Sequence, residues 1–126
     1  MRATEPETIV DSLAIRDTSS HTPATDSEIE YVDIHEWKGF VIKLTNNLDK
    51  DVTMTIYGNF ARNTIGAKAY TTTLAVTAGA SGFIKYHAVR DANWTPWIYP
   101  SLVCSVIPTS GDVDAEIVKM DKGADW

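Results

Sequence analysis

Hydrophobic and polar residues alternate with a period of two along much of the chain beyond residue 29. The clearest runs are residues 40–45 and 52–57, in which every second residue is Phe, Ile, Leu, Val or Met. Such alternation is typical of a strand that buries one face. The segment between them, 46–51, is rich in Asn and Asp, which favour turns because they bond locally to the main chain. We therefore predict that these two strands form a hairpin.

Further alternating or apolar segments follow, separated by turns rich in Gly, Pro, Asn and Asp. They lie at residues 29–37, 70–76, 83–90, 97–107 and 113–117. The segment 97–107 is apolar on both faces, as a central strand is, so Pro100 is expected at its start, at a bulge or on an edge. No stretch has helical periodicity. The pattern predicts an all-β, antiparallel β-sandwich of seven or eight strands, either jelly-roll or immunoglobulin-like.

Three parts of the chain differ in character. Residues 1–28 are predicted to form an extended, acidic N-terminal arm and linker. Residues 29–120 carry the strand pattern and are predicted to be the sandwich domain. Residues 121–126 form a short, mainly polar C-terminal tail.

The arm contains four apolar residues beyond a polar linker. Ile9, Val10, Leu13 and Ile15 precede residues 16–27, which are rich in Ser, Thr and Asp. An apolar segment must pack somewhere, either against its own sheet or on a neighbouring subunit by strand exchange. A disordered terminus is the third alternative. These four residues are therefore a candidate interaction surface.

Charge and length narrow the function classes. The chain has 126 residues and a net charge of −6. The first 36 residues carry a net charge of −7, and the remainder carries +1. No basic cluster is available for a phosphate backbone, so a nucleic-acid partner is not expected. No apolar run is long enough to span a bilayer. Acidic residues stand where a signal peptide needs an apolar stretch, which predicts synthesis in the cytoplasm.

Candidate chemistry is sparse. The sequence has no nucleophile elbow, phosphate-binding loop or dinucleotide motif. His21, His35 and His87 do not have metal-ligand spacing, and the single cysteine, Cys104, is expected to be a small buried hydrophobe. Clustered carboxylates near the turns are expected to keep those turns solvated, and a calcium site in such a loop is the alternative. We predict a non-enzymatic protein with no catalytic residues, cofactor or metal.

Aromatic residues cluster near the start of the apolar segment 97–107. Trp94, Trp97 and Tyr99 lie close together in sequence, and the first two belong to the predicted loop 93–97. Aromatic side chains in such a loop can hold a protein partner or the rings of a carbohydrate. The alternative is that Trp97 enters the core and Trp94 caps one end of the sandwich. Threonine-rich faces around residues 53–55 and 71–73 would add a flat, uncharged surface.

The turn and strand patterns of residues 39–49, 52–59, 74–82, 97–99 and 108–112 also carry a resemblance. They resemble those of the small β-sandwich structural proteins of tailed viruses of bacteria and archaea, such as capsid decoration, tail and fibre proteins. The resemblance implies a homo-oligomeric virion component whose partners are itself and other virion proteins. It implies no functional residues. The alternative hypotheses are a carbohydrate-binding-like module that uses the Trp94/Trp97 loop, and an enzyme with paired carboxylates.

Overall fold

A computed structural model describes residues 2–87 and 94–121. These residues contain eight strands and no helix. The strands are β1 (Glu7–Leu13), β2 (Val32–Asp33), β3 (Gly39–Asn46), β4 (Val52–Asn59), β5 (Lys68–Val76), β6 (Ser81–His87), β7 (Trp97–Val103) and β8 (Val113–Met120).

The strands form two four-stranded antiparallel sheets. One sheet has the order β1-β8-β3-β6, and the other has the order β2-β7-β4-β5. This alternation of the chain between two sheets is the jelly-roll arrangement of two interleaved Greek keys. The prediction of an all-β sandwich is therefore confirmed, and of its two alternative topologies the structure has the jelly roll.

The predicted hairpin between the segments 40–45 and 52–57 is wrong. β3 pairs with β6 and β8, whereas β4 pairs with β5 and β7. Residues 46–51 therefore cross from one sheet to the other. Alternation shows that one face of each strand is buried, and both strands do bury that face. It does not distinguish two strands that pair side by side from two that face each other across a core.

A single core lies between the sheets, formed by the inward-facing alternate residues of the strands. In β3, Phe40, Ile42 and Leu44 are almost completely buried, and in β4 the same holds for Met54 and Ile56. Cys104 is buried as well, as its apolar neighbourhood predicted, and burial raises the pKa of its thiol. The first predicted strand is much shorter than expected, because only Val32–Asp33 pair with β7.

Pro100 lies in the middle of β7 and pairs with Ile56 of β4. In an antiparallel sheet, alternate residues direct their backbone groups to the same neighbour. Leu102 exchanges two backbone hydrogen bonds with His21, so the nitrogen of Pro100 points to that same side. β2 pairs only with the first two residues of β7. Pro100 therefore sits where β7 is locally an edge, as expected for a residue without an N–H.

Candidate interaction surfaces

The four apolar residues of the arm lie in the chain's own core. Ile9, Val10, Leu13 and Ile15 are each at most 2% exposed. β1 pairs with β8 on one side, and its other side exchanges backbone hydrogen bonds with residues 28–30. Of the three alternatives for the arm, the structure shows the first: the arm packs against its own sheet. The four side chains contribute to the stability of the fold and are not accessible to a partner.

Two irregularities in the pairing of β1 with β8 explain this burial. The register shifts between Thr8 and Val10 and again between Val10 and Leu13. Ser12 has a positive φ of 49°, and its N–H donates to the Asp114 carboxylate at 2.8 Å. A β-bulge turns neighbouring side chains to the same face. The arm therefore does not show strict alternation, and the sequence left its return to the sheet as one of three alternatives.

His21 fastens the polar linker to the sandwich. It is 8% exposed, and its ring nitrogens lie 2.8 Å from carboxylate oxygens of Asp17 and Asp26. Burial opposes protonation of the imidazole, but hydrogen bonds and charges from both carboxylates outweigh it and raise the pKa of His21. The backbone bonds of His21 to Leu102 hold the same segment against β7. The linker is therefore anchored at one point by a buried side chain.

Trp97 and Tyr99 belong to an aromatic cluster on the outer face of the second sheet. The Tyr99 ring stacks on Tyr57, its cross-strand partner, with 5.4 Å between centroids. Tyr31 contacts Tyr99 edge to face, and the Arg62 guanidinium lies 5.1 Å from the centroid of the Tyr31 ring. Tyr99 is consequently only 5% exposed, although it faces outward. Trp97 is half-buried on this face and does not enter the core, so the alternative of a core Trp97 is wrong, and its role as an interaction residue stays a prediction.

Trp94 lies away from this cluster, at the edge of an open cleft. It is 37% exposed, and its indole N–H donates to the Trp37 carbonyl at 2.9 Å. The cleft has a volume of about 480 Å³, and Phe60 and Tyr70 also line it. Thr95 hydrogen-bonds the Tyr70 hydroxyl at 3.0 Å and so fixes the floor of the cleft. Trp94 thus lines this cleft, whereas Trp97 and Tyr99 do not.

Two strongly exposed apolar side chains project from residues 60–67, here called the β4–β5 loop. Phe60 and Ile65 are each 82% exposed. The Asn59 amide donates to the Asn63 and Ile65 carbonyls at 2.9 Å, and the Asn63 side chain accepts from the Ile65 N–H at 3.0 Å. The loop is therefore internally hydrogen-bonded, and it holds both apolar side chains in solvent.

A second exposed apolar pair lies in residues 104–112, the β7–β8 loop. Val106 is 55% exposed and Ile107 is 56% exposed. Asp49 anchors this loop, since it accepts hydrogen bonds from the backbone N–H and the hydroxyl of Thr109. The Thr109 hydroxyl and N–H lower the pKa of Asp49 to about 2, so the carboxylate is ionised at neutral pH. This loop too is preorganised around exposed apolar groups.

Threonines cover part of the outer face of the second sheet. Thr55 pairs directly with Thr73 of β5 and with Ser101 of β7, and Thr53 is exposed beside them. Pairs of this kind across neighbouring strands give a flat surface with hydroxyl groups and no charge. It adjoins the aromatic cluster on the same sheet.

Phe60, Ile65, Val106 and Ile107 were not among the candidate residues predicted from the sequence. Phe60 and Ile65 lie between the predicted strands 52–57 and 70–76, and an apolar residue in such a connection is the one signal that could have identified them. The other two fall at the end of the long apolar run 97–107, which was interpreted as one strand. β7 ends at Val103, so the last four residues of that run belong to the β7–β8 loop.

Neither metal ligation nor a membrane-spanning helix is apparent in the described ranges. Residues 2–87 and 94–121 contain no group of three His, Cys, Asp or Glu side chains placed to hold a metal ion. Within the same ranges, no helix has the length and apolarity needed to cross a bilayer.

Comparison with known proteins shows the fold. No protein-family model and no curated protein sequence matches the chain. The PBSX exported protein XepA is similar in structure, with a TM-score of 0.68 and 12% identity over 97% of this chain. This chain spans only 39% of XepA.

Two further solved structures are similar over nearly their whole length. The SPBc2 prophage-derived protein YomS has a TM-score of 0.53 and 9% identity, covering 94% of this chain and 92% of YomS. A chain from the Bacillus endospore appendages, described as disulfide-linked pili, has a TM-score of 0.52 and 12% identity, covering 94% and 88%. At these identities the likeness concerns the fold alone.

Proposed function

We propose that the protein is a non-enzymatic structural subunit of a virion, a homo-oligomeric capsid decoration or tail-associated protein. The observation that carries the proposal is the jelly-roll sheet order. Jelly rolls are the architecture of many viral capsid domains. The prophage origin in the name of YomS and the assembly into pili of the endospore appendages support a structural role of this kind.

The surface of the domain supports assembly as well. Single exposed apolar residues are common on any protein, but this domain holds pairs of them in hydrogen-bonded loops. The uncharged threonine face offers a further flat surface for close packing. Because the arm already packs in the chain's own core, contacts between copies would use these surfaces and not β1.

Immunogold electron microscopy tests this proposal. An antibody raised against the purified protein is applied to particles released by cells that carry the gene. Label on the particles is expected, on the shell for a decoration protein and on the tail for a tail-associated one. Unlabelled particles from cells whose lysate contains the protein would contradict a virion role.

A second candidate function is the binding of carbohydrate. The observation that favours it is the cleft of about 480 Å³ at which Trp94, Phe60 and Tyr70 converge. Aromatic rings can stack on the apolar faces of sugar rings, and polar groups such as the Asn59 and Thr95 side chains line the same cleft. In this reading Trp94 would be the main ligand contact, because Trp97 and Tyr99 lie in the separate cluster.

Titration with a panel of oligosaccharides, followed by tryptophan emission, tests this second function. A bound sugar should shift or quench the emission, and Trp94→Ala should abolish the response because it removes the exposed indole. Trp97→Phe is the matched control, since it removes an indole outside the cleft and should leave the midpoint of the titration unchanged. The absence of a response to every glycan would exclude this function.

A further inference from the structure

The two loops with exposed apolar pairs lie at opposite ends of the sandwich. In the pairing of β4 with β7, Asn59 lies opposite Trp97, and Thr53 lies opposite Val103. The β4–β5 loop follows Asn59, and the β7–β8 loop follows Val103. The two loops are therefore separated by the length of these strands, about 20 Å at the usual rise per residue.

The two loops also differ in charge. The β4–β5 loop contains Arg62, is followed directly by Lys68, and has no acidic residue. At the opposite end, the β7–β8 loop and the adjoining segment 47–51 carry Asp49, Asp51 and Asp112. Two cations lie among these carboxylates. One is Lys50, and the other is Arg16, which donates to the Gly111 carbonyl at 3.0 Å. The β4–β5 loop and the adjoining Lys68 therefore carry only positive charge, and the β7–β8 loop with the segment 47–51 has an excess of negative charge.

We infer that the β4–β5 loop of one copy docks on the β7–β8 loop of the next, in a head-to-tail contact. Phe60 and Ile65 would pack on Val106 and Ile107, and the opposite charges around each pair would orient the two ends. The inference rests on the proposed function in that it takes the oligomer to be an assembly of this chain alone. The partner of the β4–β5 loop is a second copy of this chain, because the β7–β8 loop offers a complementary surface. That surface is apolar at its centre and opposite in charge.

This contact has a specific consequence for assembly. It joins two different surfaces, so each copy still offers one free end after the first contact has formed. Such heterologous contacts produce a ring if the rotation between copies closes, and a filament if it does not. A symmetric contact, in which the same loop meets its own twin, would stop at a dimer.

The native mass of the full chain by light scattering, over a hundredfold dilution, tests the contact. Three variants are compared with the wild type: Phe60→Ser with Ile65→Ser, Val106→Ser with Ile107→Ser, and the control Phe83→Ser. Phe83 is 60% exposed on β6, outside both loops. Each double variant is expected to be monomeric. The dissociation constant of the contact between copies should rise at least about tenfold, because the substitutions remove its buried apolar anchors. The control is expected to assemble like the wild type.

Mixing the two double variants is the decisive step. Each retains the end that the other has lost, so the mixture should form a dimer and nothing larger. All the substituted side chains are exposed, so the variants are expected to fold. Midpoints of thermal unfolding equal to that of the wild type will show this. Reversal of the positive end, by Arg62→Glu with Lys68→Glu, should also weaken assembly, as should added salt.

Three results would overturn the head-to-tail contact: a monomeric wild type at every concentration, an oligomer that survives either double variant, or a mixture that stays monomeric. An oligomer that survives both double variants would leave the proposed virion role standing, because another surface would then join the copies. Unlabelled particles in the electron microscope would remove that role whatever the mass measurements show.

Discussion

Gly111→Ala is expected to lower the free energy of unfolding by about 2–5 kcal/mol, through a close backbone approach and an unfavourable φ. Gly111 has a φ of +84°, and a Cβ added there would lie 1.8 Å from the Asn47 carbonyl oxygen and 3.0 Å from the Leu48 Cα. Both atoms belong to the backbone, so no side chain can rotate away. The segment 47–51 and the β7–β8 loop would have to separate.

Gly79→Ala separates the two causes of this loss. Gly79 has a φ of +78°, but nothing lies within 4 Å of an added Cβ. Gly79→Ala should therefore lower the free energy of unfolding only through the unfavourable φ, by about 1 kcal/mol. Urea unfolding followed by fluorescence measures both variants. Equal losses in the two would show that the contact with Asn47 is not close, and would contradict the packing of these two segments.

Asn46→Ala is expected to cost about 2–5 kcal/mol, because it leaves buried backbone groups without partners. Asn46 is completely buried. Its amide donates to the Lys50 carbonyl at 2.9 Å and to the Val76 carbonyl at 3.0 Å, and its side-chain oxygen accepts from the Leu48 N–H at 3.0 Å. One side chain thus satisfies groups in two connections that cross between the sheets.

The neighbouring Asn47→Ala is the matched control for this substitution. Asn47 lies in the same turn but is exposed, so its change should fall within about 0.5 kcal/mol, as is usual on a surface. Both variants are compared by urea unfolding. A loss for Asn46→Ala no larger than that of the control would mean that water replaces its three hydrogen bonds.

Asn46 also illustrates which features the sequence predicts and which it does not. The abundance of Asn and Asp in residues 46–51 correctly predicted a turn. The same chemistry serves a hairpin and a connection between sheets, so the partner of β3 could not be predicted from it. The pairing depends on residues far along the chain: β3 lies between β6 and β8, and both of these follow β4 in sequence.

The exposure of the candidate interaction residues could not be predicted for a similar reason. The sequence selected the apolar residues of the arm and the aromatic residues near Trp97, because apolar character was the only available signal. In the structure, Leu13 and Ile15 are in the core, and Tyr99 is covered by other rings. Phe60 and Ile65 are instead the most exposed of the large hydrophobic side chains in the described residues. Exposure depends on which neighbours cover a side chain, and those neighbours are distant in sequence.

The sequence by itself determined the all-β class, most of the strands and most of the turns, because these follow from local alternation and local turn chemistry. Only the tertiary structure decided the jelly-roll order, the inclusion of β1 in the sheet and the opposite placement of the two apolar loops. Those features follow from backbone hydrogen bonds between distant strands and from the closure of two sheets over one core. A period of two records that a face is buried, but it carries no information on what buries it.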